Sequence, residues 1–121
     1  MFISYGTGAL VVVGLAGMWM HVVHDPTNPR HIRAEILKEL RLHCIDTRLS
    51  VHEVGAIVNV HDEEFEIACF RLDGEHSKLI SNVPEYRFCE SFNLMDQREV
   101  NRALRKCASA IECHLCVDDY P

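Results

Sequence analysis

Three cysteines gather near the C-terminus, Cys107, Cys113 and Cys116, in the pattern C-x5-C-x2-C. The last two enclose a histidine, as Cys113-His114-Leu115-Cys116. Two thiolates at this separation can hold one edge of a tetrahedral zinc site, and such a site needs further ligands. Cys107 is the nearest candidate. Cys44, Cys89 or one of the eight histidines would have to complete the set, because the chain has no second C-x-x-C and no H-x-x-x-H. Zinc on Cys107, Cys113 and Cys116 is therefore one reading, set against the expectation of no cofactor at all. A dithiol–disulfide couple is another. Redox pairs of this kind work at helix starts, where the dipole lowers the thiol pKa. Here the motif falls at the end of an expected helix, where the dipole has the wrong sign. A structural disulfide would require an oxidising compartment. Cys44 and Cys107 also fall on apolar stripes, where a cysteine behaves as a small buried hydrophobe.

The histidines are dispersed, and His21 and His24 stand about one helical turn apart at the end of a long apolar run. At a membrane exit they would meet headgroups, a cofactor or a quinone. His61-Asp62-Glu63-Glu64 offers oxygen ligands for a hard cation, although a crowded acidic turn is usually just solvated. Gly6-Thr7-Gly8 starts a phosphate-binding fingerprint, but position 11 is Val, so the motif fails. Linear spacing assembles no Ser–His–Asp or Cys–His set. An enzyme is not expected, and no small-molecule substrate is indicated.

The elements that must position these groups divide at residue 24. The first 24 residues contain no Asp, Glu, Lys or Arg, and all 30 such residues follow. Phe2–Val23, read as a helix, spans roughly 33 Å, enough to cross a hydrocarbon core. Trp19, His21 and His24 would lie at one interface and Tyr5 at the other. Gly6, Ala9, Gly14, Ala16 and Gly17 would give small surfaces against which partner helices pack, without a true GxxxG repeat. A cleaved signal peptide fits less well, since no basic residue precedes the apolar stretch. Buried strands of a soluble core, with Ala9–Val13 as one of them, are the remaining alternative. Arg30, Arg33, Lys38 and Arg41 follow the segment, which favours the cytoplasmic or matrix side for the C-terminal domain. The division expected is a transmembrane anchor at 1–24 and a small domain at 25–121.

Within that domain, Asn28 and Pro29 form a helix start. Ile32, Ile36, Leu40 and Cys44, with Leu37, make an apolar stripe that predicts a helix over 29–45. Val54–Val60 reads as a strand, 61–64 as a turn, and Phe65–Leu72 as a second strand. Asp73-Gly74 signals a tight hairpin, Glu75–Ile80 a third strand and Tyr86–Phe92 a fourth. Asp96 and Glu99 form a capping box for a final helix over 97–113, with Val100, Leu104, Cys107 and Ile111 as its stripe. The expected class is α+β, an antiparallel four-stranded meander flanked by two helices in the order α-β-β-β-β-α.

The net charge of −6 argues against binding nucleic acid, which needs clustered Lys and Arg. The function expected is a non-enzymatic accessory or regulatory subunit of a membrane protein complex. Its partners would be other membrane protein subunits and the lipid bilayer. An acidic binding module of the inhibitor or immunity type, and a small thiol or zinc protein, are the alternatives.

Overall fold

A computed structural model describes residues 28–118 as two helices and one sheet, in the order α1 (Pro29–Cys44), β1 (Ser50–Val54), β2 (Ile57–Asp62), β3 (Phe65–Arg71), β4 (Ser77–Ser81), β5 (Phe88–Phe92) and α2 (Gln97–Asp118). The expected membrane segment, with Gly6, Ala9, Gly14, Ala16, Gly17, Trp19, His21 and His24, lies outside the described residues. No helix among the described residues is long and apolar enough to cross a membrane. The α+β class holds, and the sheet has five strands rather than four, all antiparallel, in the spatial order β1-β2-β3-β4-β5.

The extra strand comes from Gly55. Val54–Val60 is not one strand, because the chain reverses at Gly55-Ala56 and Val54 pairs with Ile57. Gly55 has φ +59, the positive value that a type II′ hairpin turn requires at its first central residue. Asp73-Gly74 does not make the expected two-residue hairpin. Asp73 N donates to Ser77 Oγ at 2.8 Å, and Ser77 Oγ donates to Gly74 O at 2.8 Å. These bonds fold Gly74–His76 into a 3-10 turn and delay β4 until Ser77.

Both helices start where their caps dictate. Asn28 Oδ1 accepts from Arg30 N at 3.1 Å and His31 N at 3.4 Å, with Pro29 in the first turn, where a missing N–H costs nothing. Asp96 Oδ1 accepts from Arg98 N at 3.0 Å and Glu99 N at 3.4 Å. Glu99 reaches further back than a capping box would have it, and accepts from Asn93 N at 2.8 Å. The final helix continues past residue 113 to Asp118, so the cysteine motif lies within helix rather than beyond it.

One face of the sheet is covered. Val58, Phe70 and Leu79 stand opposite one another across β2, β3 and β4, and all are buried. They pack with Ile32, Ile36 and Leu40 of α1 and Val100, Leu104, Cys107 and Ile111 of α2 in a single core. Phe70 meets Phe92 edge-to-face at 5.9 Å, an arrangement aromatic pairs favour. A one-residue bulge separates the pairs Val60–Ala68 and His61–Glu66, leaving Ile67 unpaired across the ladder. Ile67 and Ala68 are both buried in the core. Beyond the bulge Asp62 pairs with Phe65, and Glu63-Glu64 forms the turn.

Glu63 has φ +56, a region where a side chain costs backbone energy. The two turns therefore make a mirrored test. Glu63→Gly should raise stability by about 0.5–1 kcal/mol, the strain relieved exceeding the extra chain entropy of glycine. Gly55→Ala should lower it by about 1 kcal/mol; a Cβ there meets nothing within 4 Å, so only backbone strain is added. Urea titrations of the two variants should show midpoint shifts of opposite sign.

Candidate functional site

Among the described residues, one polar cluster joins three separate elements at one end of the sheet. Strand alternation places Asp62, like Val58 and Val60, on the helix-facing side of β2. There His114 Nε2 of α2 lies 2.7 Å from Asp62 Oδ2. Arg48, from the α1–β1 link, donates to the same oxygen through Nε at 3.0 Å and approaches it through Nη2 at 2.9 Å. The Phe65 ring stacks on the imidazole, with centroids 5.5 Å apart and planes 18° apart. The His114 and Asp62 side chains are only 15% and 13% exposed. The hydrogen bond from His114, and then the hydrogen bond and charge of Arg48, hold the Asp62 carboxyl below its ordinary value.

An imidazole oriented by a carboxylate is one part of a general-base arrangement. A nucleophile or bound substrate would have to supply the rest, and the contacts of His114 are a carboxylate and a phenyl ring. The physical effect of the cluster is to tie the last turns of α2 to the β2–β3 turn. A second tie lies alongside, where His43 Nε2 of α1 approaches Glu112 Oε2 at 3.2 Å. A third joins α2 to β5, with Lys106 Nζ 2.8 Å from Glu90 Oε1 and over the Phe88 ring at 5.2 Å.

The cysteines separate by environment. Cys107 is fully buried against the core, and burial pushes its thiol up, with the nearby Cys44 adding to the effect. Burial pushes Cys44 up to about 11. Both stay protonated at neutral pH and act as small apolar groups, as their stripes suggest. Cys113 is half-buried and Cys116 exposed, three positions apart on α2. Cys107, six positions before Cys113, turns into the core. Among the described residues no three His, Cys, Asp or Glu side chains come together as a metal set. All six cysteines are unpaired. Asp62 of the acidic turn is engaged by Arg48 and His114, while Glu63 and Glu64 are exposed.

The sheet face away from the helices carries its own polar contacts. Asn59 Nδ2 and Asn82 Nδ2 donate to the two carboxylate oxygens of Glu66, at 3.1 and 3.3 Å. His52 and His61 meet edge-to-face at 5.3 Å. Cys69, between them and β4, is only 7% exposed although it lies outside the core cluster. Burial, then the charge of Glu66, pushes its thiol up.

Two outcomes follow. A thiol reagent at neutral pH should label Cys89 and Cys116 in the folded chain, while Cys44 and Cys107 react only after denaturation; mass mapping of labelled peptides reads this directly. Asp62→Asn should lower the urea midpoint at neutral pH. A depressed carboxylate stabilises the fold above its ordinary pKa of 3.8 and loses that contribution as pH falls through the lower folded value. The midpoints of parent and variant should therefore converge as the pH drops below about 4.

Comparison with known protein families, with curated proteins and with solved structures gives no match to this chain.

Proposed function

We propose that the chain is a non-enzymatic, single-pass accessory or regulatory subunit of a membrane protein complex. Residues 2–23 would anchor it, and the α+β domain would meet the aqueous parts of its partners on the cytoplasmic or matrix side. The observation that carries this reading is the partition of charge: none in the first 24 residues and 30 charged groups in the rest. A soluble core rarely holds so long an uncharged run, and a bilayer requires one. The domain that follows is consistent with a docking role. Its Asp62–His114–Arg48 cluster forms internal ties, and its thiols at Cys44 and Cys107 are sealed in the core.

The small residues Gly6, Ala9, Gly14, Ala16 and Gly17 supply the helix–helix contacts in this proposal, because close backbone approach favours association in lipid. Membranes containing the chain should retain it through alkaline carbonate washing, and detergent extraction should bring partner subunits with it. Changing all five residues to Leu should leave the chain in the membrane but release those partners. Retention of every partner after the five changes would overturn docking through the helix. Partner binding that survives deletion of residues 1–24 would replace the proposal with the acidic binding module.

A further inference from the structure

The β1–β2 hairpin ends in four exposed residues without a polar side chain among them, Val54-Gly55-Ala56-Ile57. Val54 is 72% exposed and Ile57 38%. A tip of this composition gains nothing from water, and the packing of the domain does not use it.

The position of the tip gives it a partner. A five-residue link joins the end of α1 at Cys44 to the start of β1 at Ser50, and α1 packs against β1. The helix must therefore run back along the strand, so its first turn lies toward the end where β1 turns into β2. His43 at the last turn of α1 meets Glu112 near the end of α2, which places both helix C-termini at the opposite end. Leu94 N bonds Gly74 O just before α2 begins, so α2 also starts at the hairpin end. The uncharged N-terminal run therefore joins the domain beside the tip. It ends at Val23, and α1 begins at Pro29. The six steps from Val23 to Pro29 reach at most about 22 Å, at about 3.6 Å each.

Cations flank the tip on its own sheet face. On the face of the hairpin that carries Ile57, the residues opposite it across the sheet are Arg71 and then Lys78, both exposed. Arg30 in the first turn of α1 and Arg98 in the first turn of α2 are exposed at this end too. Glu53, Asp73 and Glu75 also lie here, with Glu53 on the helix-facing side of β1, so the end is mixed in sign. Asp96 and Glu99 at the start of α2 add to its acids, and the far end carries Asp46, Glu63, Glu64, Glu85 and Glu112 with Arg41, Arg48 and Arg87, so the two ends do not differ in sign and what marks the tip is the cations on its own face. Long cationic side chains beside an apolar tip suit a bilayer interface, where they keep their charge in the headgroups.

We propose that the β1–β2 tip enters the headgroup region of the bilayer and sets the domain upright, with the Asp62–His114 end facing away from the membrane. This rests on the reading of residues 2–23 as membrane-inserted. Two apolar side chains bind a bilayer weakly alone. A tether this short holds the tip at an effective concentration in about the millimolar range, so a weak contact stays occupied.

The full chain can be reconstituted in phosphatidylcholine–phosphatidylglycerol vesicles with brominated acyl chains, which quench nearby tryptophan. Trp19 is the single native tryptophan, and its quenching in the unaltered chain tests the anchor. In a Trp19→Phe background, Ala56→Trp probes the tip and Glu64→Trp the far turn, with Val54→Trp used if the first fails to fold. The expected result is a blue shift and loss of emission at the tip, with no change at the far turn. Quenching of Trp19 without quenching at the tip overturns the lipid contact, leaves the anchor standing and returns the tip to a protein partner. Equal quenching at both ends of the domain overturns the orientation. No quenching at Trp19 or at the tip overturns both readings together.

Discussion

Phe70 stands in the middle of the row Val58–Phe70–Leu79, and that row needs a cover. Each of these side chains leaves water on one side of the sheet only, and removing it from water is worth about 1.5–3 kcal/mol. The helices meet that need with stripes of Ile, Leu and Val. The caps at Asn28 and Asp96 fix where the helices begin, and the row decides where they lie. The same one-sidedness leaves a second sheet face carrying Asn59, Glu66, Cys69 and Asn82, where polar side chains bond one another and close over a thiol.

The bulge at Ile67 is a smaller constraint with a local result. It sends two consecutive side chains, Ile67 and Ala68, into the core, and changes the register beyond them. The change sets Phe65 opposite Asp62 on the helix side, which lets a ring and a carboxylate meet His114 together. Without it Glu66 would stand opposite Asp62, and the acid would face an acid. The strained Glu63 belongs to the same arrangement, since the altered register leaves two residues for the turn.

What could be read beforehand follows from the range of each interaction. Helix α1 was legible because a cap and a four-residue repeat are local, and its buried residues are the ones its stripe names. The start of α2 was legible for the same reason, but its end was not. Nothing after Cys113 breaks the helix, and ties to Glu90 and Asp62 support it from other strands. The β1–β2 hairpin was hidden because Val54 to Val60 is continuously rich in apolar residues, so a glycine turn looked like a strand interior. Asp73-Gly74 misled in the opposite direction, since Ser77 captured the loop with its hydroxyl. The Asp62–His114 bond joins residues 52 positions apart, and no spacing rule reaches that far. Asp62 itself read as part of a polar turn over 61–64, because β2 runs two residues past the expected strand end.

The meander has a consequence for how the molecule is built on the ribosome. Every strand lies beside its immediate predecessor, so each pairing closes a short loop and costs little chain entropy. The ladder can therefore grow in step with translation, one hairpin after another, as α1 settles on its first strand. Only α2, the 22 residues Gln97–Asp118, must reach back across the finished sheet. Until they emerge, Phe70 and its neighbours remain partly uncovered. The half-made domain is thus at greatest risk of misassociation in the interval before its final helix arrives.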